Sequence, residues 1–221
     1  MKDQNERWIF ALDTTFQVGV DSLPLVIGGI LDAHFHSFLP TFSAFVNRQD
    51  SKTFEAIFDY LKSVGVPAPS LSMSDGDLAA RDALAKVWPE LKMAMCWYHT
   101  KKASKRKLGK QRIIITLSHF FSPLIAKIKD RYPVLFDQIL SDLEELRNKA
   151  CDESMFHLLW ALLEKKYSTR DDYPDAESRR LLVDEFLFGY FKPIWVLDQR
   201  RSGWYQGFAP QCPVTNNAVE R

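Results

Sequence analysis

The chain has 221 residues, of which 46 % are hydrophobic and 13 % aromatic, enough to enclose a sizeable core. A formal net charge of +1 excludes a uniformly basic nucleic-acid binder, so any such contact must come from local charge. The longest apolar runs fall short of the about 20 residues that cross a bilayer, the amino-terminal residues lack a signal peptide's apolar run, and three widely spaced cysteines favour a reducing compartment over a disulfide framework.

In chain order, "RWIFALD" reads as a first strand ending at Asp13, and "LPLVIGGIL" (23–31) as a second, with Gly28 and Gly29 marking a bulge or a close backbone approach. "SFLPTFSAFV" (37–46) is a third strand, interrupted at Pro40. Asp50 and Ser51 open a stretch in which Phe54, Ile57, Phe58 and Leu61 recur at helical spacing, stopping near Gly65. "LSMS" is a short fourth strand feeding Asp75. Leu78, Ala79, Ala83, Leu84 and Val87 outline a second helix ended by Pro89, and "LKMAMCW" is a fifth strand. From about residue 100 to 200 the spacing is almost wholly helical, with "STRDDYPDAES" (168–178) as a polar hinge. In the final "APQCPVTNNAVER", Thr215 and Asn216 offer capping groups for a last helix.

Asp13 and Asp75 each stand at the carboxyl end of an expected strand, where open mixed sheets present functional residues. Each alone fits an ordinary turn or helix cap, and Asp75 in "SDGD" suits the cap of its helix, with Asp77 in the first turn beyond it. Glu55 and Asp59 read as surface acids of the first helix. Glu220 alone would be an unremarkable acid at a helix start.

The order β-β-β-α-β-α-β, with acids after strands one and four, resembles the ribonuclease-H-like fold. "SDGDLAARDALAKVWPELKMAMCWYHTKK" (74–102) resembles the central signature of Mutator-like element (MULE) transposases: an acid, an Ala-rich helix stopped by "WP", an apolar strand and C-x-x-H. "ALDTTFQV" (11–18) resembles the first acidic block of that family, and "TNNAVER" (215–221) its last. The three blocks occur in the family's order and bracket nearly the whole chain.

The resemblance implies a ribonuclease-H-like mixed sheet with a large all-helical insertion before the last acidic helix. It divides the chain into residues 1–100 as the first part of the core, 101–212 as the insertion, and 213–221 as the truncated start of the final core helix. It implies a DDE transposase in which Asp13, Asp75 and Glu220 hold two Mg²⁺ or Mn²⁺ ions and catalyse DNA strand cleavage and strand transfer at transposon ends. Carboxylates suit such hard cations, and paired ions suit in-line phosphoryl transfer. The implied partners are transposon-end and target DNA and further copies of the chain, with no membrane. The implied location is the nucleus in a eukaryote and the cytoplasm otherwise. A domesticated descendant that binds DNA or regulates without cutting is the alternative, and the filled acid positions favour retained chemistry.

In the same family the C-x-x-H pair, here Cys96 and His99, accompanies the second acid. It could be a zinc half-site completed by His34 and His36, a buried thiol beside a hydrogen-bonded imidazole near the site, or a core pair. A closed zinc site is not expected, because no second ligand pair follows at finger spacing. "KKASKRKLGKQR" (101–112) holds seven basic residues and no acid. Lys101, Lys102, Lys105, Arg106 and Lys107 thus read either as a solvated face or import signal, or as contacts to DNA phosphates. Trp204 reads either as a stacking platform for an unpaired base or as core.

Overall fold

The computed structural model describes residues 8–18, 23–32, 37–110, 112–115, 124–127 and 131–210. The chain divides into two compact units, Met1–His99 with Ala209–Arg221, and Thr100–Phe208.

The first unit is built on a five-stranded mixed sheet of order β3-β2-β1-β4-β5. Its strands are β1 (Ile9–Val18), β2 (Leu23–Asp32), β3 (Ser37–Phe45), β4 (Leu71–Ser74) and β5 (Lys92–Met95). β1 to β3 form an antiparallel meander, while β4 runs parallel to β1 and β5 parallel to β4. Two helices, α1 (Ser51–Ser63) and α2 (Leu78–Val87), supply the crossovers that parallel strands require.

Alternation along the strands decides the faces. Phe10, Leu12 and Val26 join Phe54 and Phe58 of α1, Ala80, Ala83 and Leu84 of α2, and Trp88 in one buried cluster. Aromatic edges hold it: Phe10 meets Phe58 edge-on at 6.0 Å, and Phe58 lies 5.8 Å from Trp88. The helix starts follow capping chemistry, since Asp50 accepts from the Thr53 amide at 2.9 Å. Gly65, at φ +90°, ends α1 in a conformation that a side chain would strain. The Gly28-Gly29 pair does mark a bulge: the β2–β3 register shifts there, and a Cβ on Gly29 would stand 2.1 Å from the Leu39 carbonyl oxygen.

One boundary differs from expectation. β1 does not end at Asp13 but runs on to Val18, because β2 keeps pairing with it, Asp13 opposite Ile27 and Thr15 opposite Leu25. It is the parallel ladder to β4 that stops early, at Ala11 opposite Met73.

Helix α3 (Trp97–Lys110) follows β5 directly. In the second unit, α4 (Pro133–Lys149), α5 (Glu153–Thr169), the short α6 (Ala176–Arg179) and a wide-turned helix, Arg180–Leu197, supply most of the core. Leu143, Phe156, Tyr167, Phe186 and Phe191 are fully enclosed, and Trp160 stacks on Phe191 at 5.9 Å. This unit is not all helical. An antiparallel hairpin, β6 (Arg112–Ile115) with β7 (Leu124–Lys127), lies where helical spacing was expected. The Ile113-Ile114-Ile115 run is β-branched throughout, and such residues lose side-chain freedom in a helix and suit a strand.

Candidate active site

Parallel strands β1 and β4 are last hydrogen-bonded where Ala11 faces Met73. Two residues beyond that rung, in each segment, stand Asp13 and Asp75. Asp13 lies within β1, and Asp75 is the first residue past the end of β4. Asp13 shares the face of Ala11, opposite the one that α1 and α2 cover through Phe10 and Leu12. Both aspartates are half-buried.

The turn after β4 is tied down from several sides. Asp75 Oδ1 accepts from the Asp77 amide at 3.1 Å. Asp77, not Asp75, is the N-cap of α2, accepting from the Ala79 amide at 2.9 Å. That is a correction to the sequence reading, and it has a consequence: capping α2 does not occupy the Asp75 carboxylate. Ser74 donates its hydroxyl to the Asp75 carbonyl at 3.2 Å, and its own carbonyl accepts from the Cys96 amide at 3.1 Å.

The sequence reading passed over Arg81. Its side chain is fully buried, with one terminal nitrogen donating to Ser74 Oγ at 3.0 Å and to the Ala94 carbonyl at 3.1 Å. The other donates to the Met93 carbonyl at 2.9 Å. Arg81 therefore joins α2 to the ends of both β4 and β5. The signal was present in the sequence: Arg81 lies three residues after Leu78 and three before Leu84, on the apolar stripe of its helix.

Cys96, just past β5, is buried and in no disulfide, and His99 sits in the first turn of α3. Tyr98 meets the His99 ring edge-on at 5.6 Å. His34 and His36 lie outside the described residues, as does Glu220. Among the described residues no group of three or more His, Cys, Asp or Glu side chains is gathered as a metal site. Asp13 and Asp75 supply a pair of hard oxygen donors, the donor class that Mg²⁺ and Mn²⁺ take, and Mg²⁺ in protein sites is commonly held by one or two carboxylates with water completing its shell. The donor chemistry fits such an ion.

Glu55 lies on α1 and pairs with Lys86 of α2 at 2.5 Å. Of the basic residues on α3, Lys101 is held by Glu144 at 2.6 Å, and Lys107 lies over the Tyr190 ring at 5.3 Å. Lys105 and Arg106 are exposed, and Lys102 is half-buried. Trp204 is 2 % exposed, donates its indole N–H to the Trp195 carbonyl at 2.6 Å, and meets Phe156 and Phe191 edge-on. That position is core and leaves no open ring face for a base.

Compared with known proteins, residues 9–103 match the model of the MULE transposase domain. No curated protein matches the chain by sequence. Among solved structures, it is similar to a chain of the Drosophila P element transposase strand transfer complex, at 11 % identity and a TM-score of 0.40, over 96 % of this chain and 70 % of that one.

Proposed function

We propose that this chain, whose residues 9–103 match the MULE transposase domain, is a DDE transposase catalytic core that cuts DNA strands at transposon ends and joins them to target DNA. One observation carries the reading: within the stretch that matches a transposase domain, Asp13 and Asp75 each stand two residues beyond one rung of adjacent parallel strands. The strand order β3-β2-β1-β4-β5, antiparallel and then parallel, supports a ribonuclease-H-like core.

In this reading Asp13, Asp75 and Glu220 hold two Mg²⁺ or Mn²⁺ ions, which supply the Lewis acidity for in-line phosphoryl transfer. The chain's own residues do the rest. The half-buried Asp13, within β1, and Asp75, in the turn after β4, offer the oxygen atoms. Asp77 caps α2, so that helix can form without drawing on Asp75. The exposed Lys105 and Arg106 attract DNA phosphates, a contact that orients the strand without reading its sequence. Transposition joins two ends, so the active form is a homo-oligomer on DNA, in the nucleus if the source is eukaryotic.

The test is Mg²⁺-dependent nicking of supercoiled plasmid by the wild-type chain and by Asp75→Asn. Asparagine keeps the shape of the side chain and its bond to the Asp77 amide while removing the charge. Loss of nicking with DNA affinity retained is the expected result. Equal nicking by the two would refute the site. DNA binding without nicking by the wild type would make the chain a DNA-binding or regulatory descendant instead.

A further inference from the structure

We infer that Arg81 is a positioning residue for the site: acting through the Ser74 hydroxyl, its buried guanidinium fixes where the Asp75 carboxylate stands. This rests on the assignment of Asp75 to the metal site made above.

The argument begins with the cost of burial. A guanidinium brings a charge and five N–H donors into the interior, and such a group persists only where acceptors meet it. Hydrophobic residues would satisfy the apolar stripe of α2 more cheaply, as Ala80, Ala83, Leu84 and Val87 do at its other buried positions. Here the arginine donates to Ser74 Oγ, the Ala94 carbonyl and the Met93 carbonyl, at 2.9 to 3.1 Å. Two of these belong to β5 and one to the last residue of β4.

That last residue is the point of leverage. Ser74 accepts from Arg81 and donates to the Asp75 carbonyl at 3.2 Å, so its hydroxyl is oriented by one bond while making the other. Its backbone carbonyl is fixed in turn by the Cys96 amide at 3.1 Å. Asp75 follows directly, with its carboxylate bonded to the Asp77 amide. The rigid fork of an arginine holds two strand ends at once, which the single point charge of a lysine does less well. A ligand held from behind in this way loses little freedom when it takes up a cation, and removing such supports from metal sites typically lowers affinity about 10–100-fold.

The test uses the full chain with three single variants, Ser74→Ala, Arg81→Lys and Arg81→Met, the double variant of Ser74→Ala with Arg81→Met, and two readouts. The first is Mn²⁺ affinity by electron paramagnetic resonance. Ser74→Ala and Arg81→Met should each weaken it about tenfold or more, Arg81→Lys should fall between Arg81→Met and wild type, and the double variant should be no weaker than the worse single one. The second needs no metal: amide hydrogen exchange at Asp77, whose N–H is bonded to Asp75, against that at Trp88, bonded to Leu84 at the far end of α2. Exchange should quicken at Asp77 and hold at Trp88. A general loosening of α2 would quicken both and overturn the proposal, as would unchanged Mn²⁺ affinity in folded Arg81→Met or effects of the two single variants that multiply. If Arg81→Met does not fold, Ser74→Ala decides, since it removes only the relay. Asp75→Asn separates the two failures: Mn²⁺ binding unaltered in that variant refutes the ligand assignment, while exchange at Asp77 still decides whether Arg81 positions Asp75.

Discussion

Replacing Trp204 with Phe separates the two roles that its sequence context allowed, a platform for a flipped base or a core side chain. The indole is enclosed by Phe156 at 5.4 Å and Phe191 at 5.5 Å, and its N–H serves the Trp195 carbonyl at 2.6 Å. Phenylalanine would delete about two ring carbons and the N–H. At about 0.8 kcal/mol for each buried carbon, the lost burial costs about 1.6 kcal/mol. The orphaned carbonyl adds about 1–3 kcal/mol. The sum, about 3 kcal/mol, corresponds in a unit of this length to a fall of roughly 10–15 °C in Tm. A thermal melt followed by tryptophan fluorescence reads that change, and fluorescence anisotropy with a labelled duplex reads DNA affinity. The expected result is a clear drop in Tm with DNA affinity unchanged at a temperature where the variant is folded. An unchanged melt with affinity weakened tenfold would refute the core assignment and restore base stacking.

The exposed pair Lys105 and Arg106 should contribute to DNA binding without sequence preference. Changing both to Ala should weaken binding to any duplex and reduce the slope of log K against log salt by roughly two, as measured by anisotropy over a salt series. Asp175 gives a pH prediction: the Ser178 amide first of all, then the Tyr132 hydroxyl, hold its carboxyl below the usual range. A depressed folded pKa stabilises above the unfolded value of about 3.9, and that stability is lost as pH falls through the folded pKa. Urea melts below pH 4 should therefore show wild type losing stability faster than Asp175→Asn. The partner Tyr132 is pushed up to about 12, by burial and then by its bond to Asp175, so the pair gives no competing change near neutral pH.

The sheet was readable in the sequence because its signals are local. Apolar strand runs, Asp50 before a helical repeat, and Gly28-Gly29 before a bulge each act within a few residues. What escaped depends on partners far along the chain. The length of β1 is set by β2, so the apolar run ending at Asp13 understated it. The cap of α2 fell to Asp77 because Asp75 bonds to its amide, and both residues have the right chemistry for the role. The β6–β7 hairpin was hidden by apolar spacing that serves either structure. Arg81 was passed over because an arginine on a helix is ordinarily a surface residue, and its acceptors on β4 and β5 lie elsewhere in the chain. For the site, Asp13 and Asp75 could be picked out by family blocks, but that they follow one rung of adjacent parallel strands is a property of the β1–β4 register.

Iron-directed cleavage of the protein itself tests the central claim most directly, that Asp13 and Asp75 hold the same cation site. Fe²⁺ placed there in the presence of ascorbate and peroxide should cut the backbone beside whatever binds it. The account predicts cuts next to Asp13 and next to Asp75, both suppressed by excess Mg²⁺ and both lost together in Asp13→Asn or in Asp75→Asn. Cuts at only one of the two positions, or a pair of cuts of which each variant removes only its own, would contradict it.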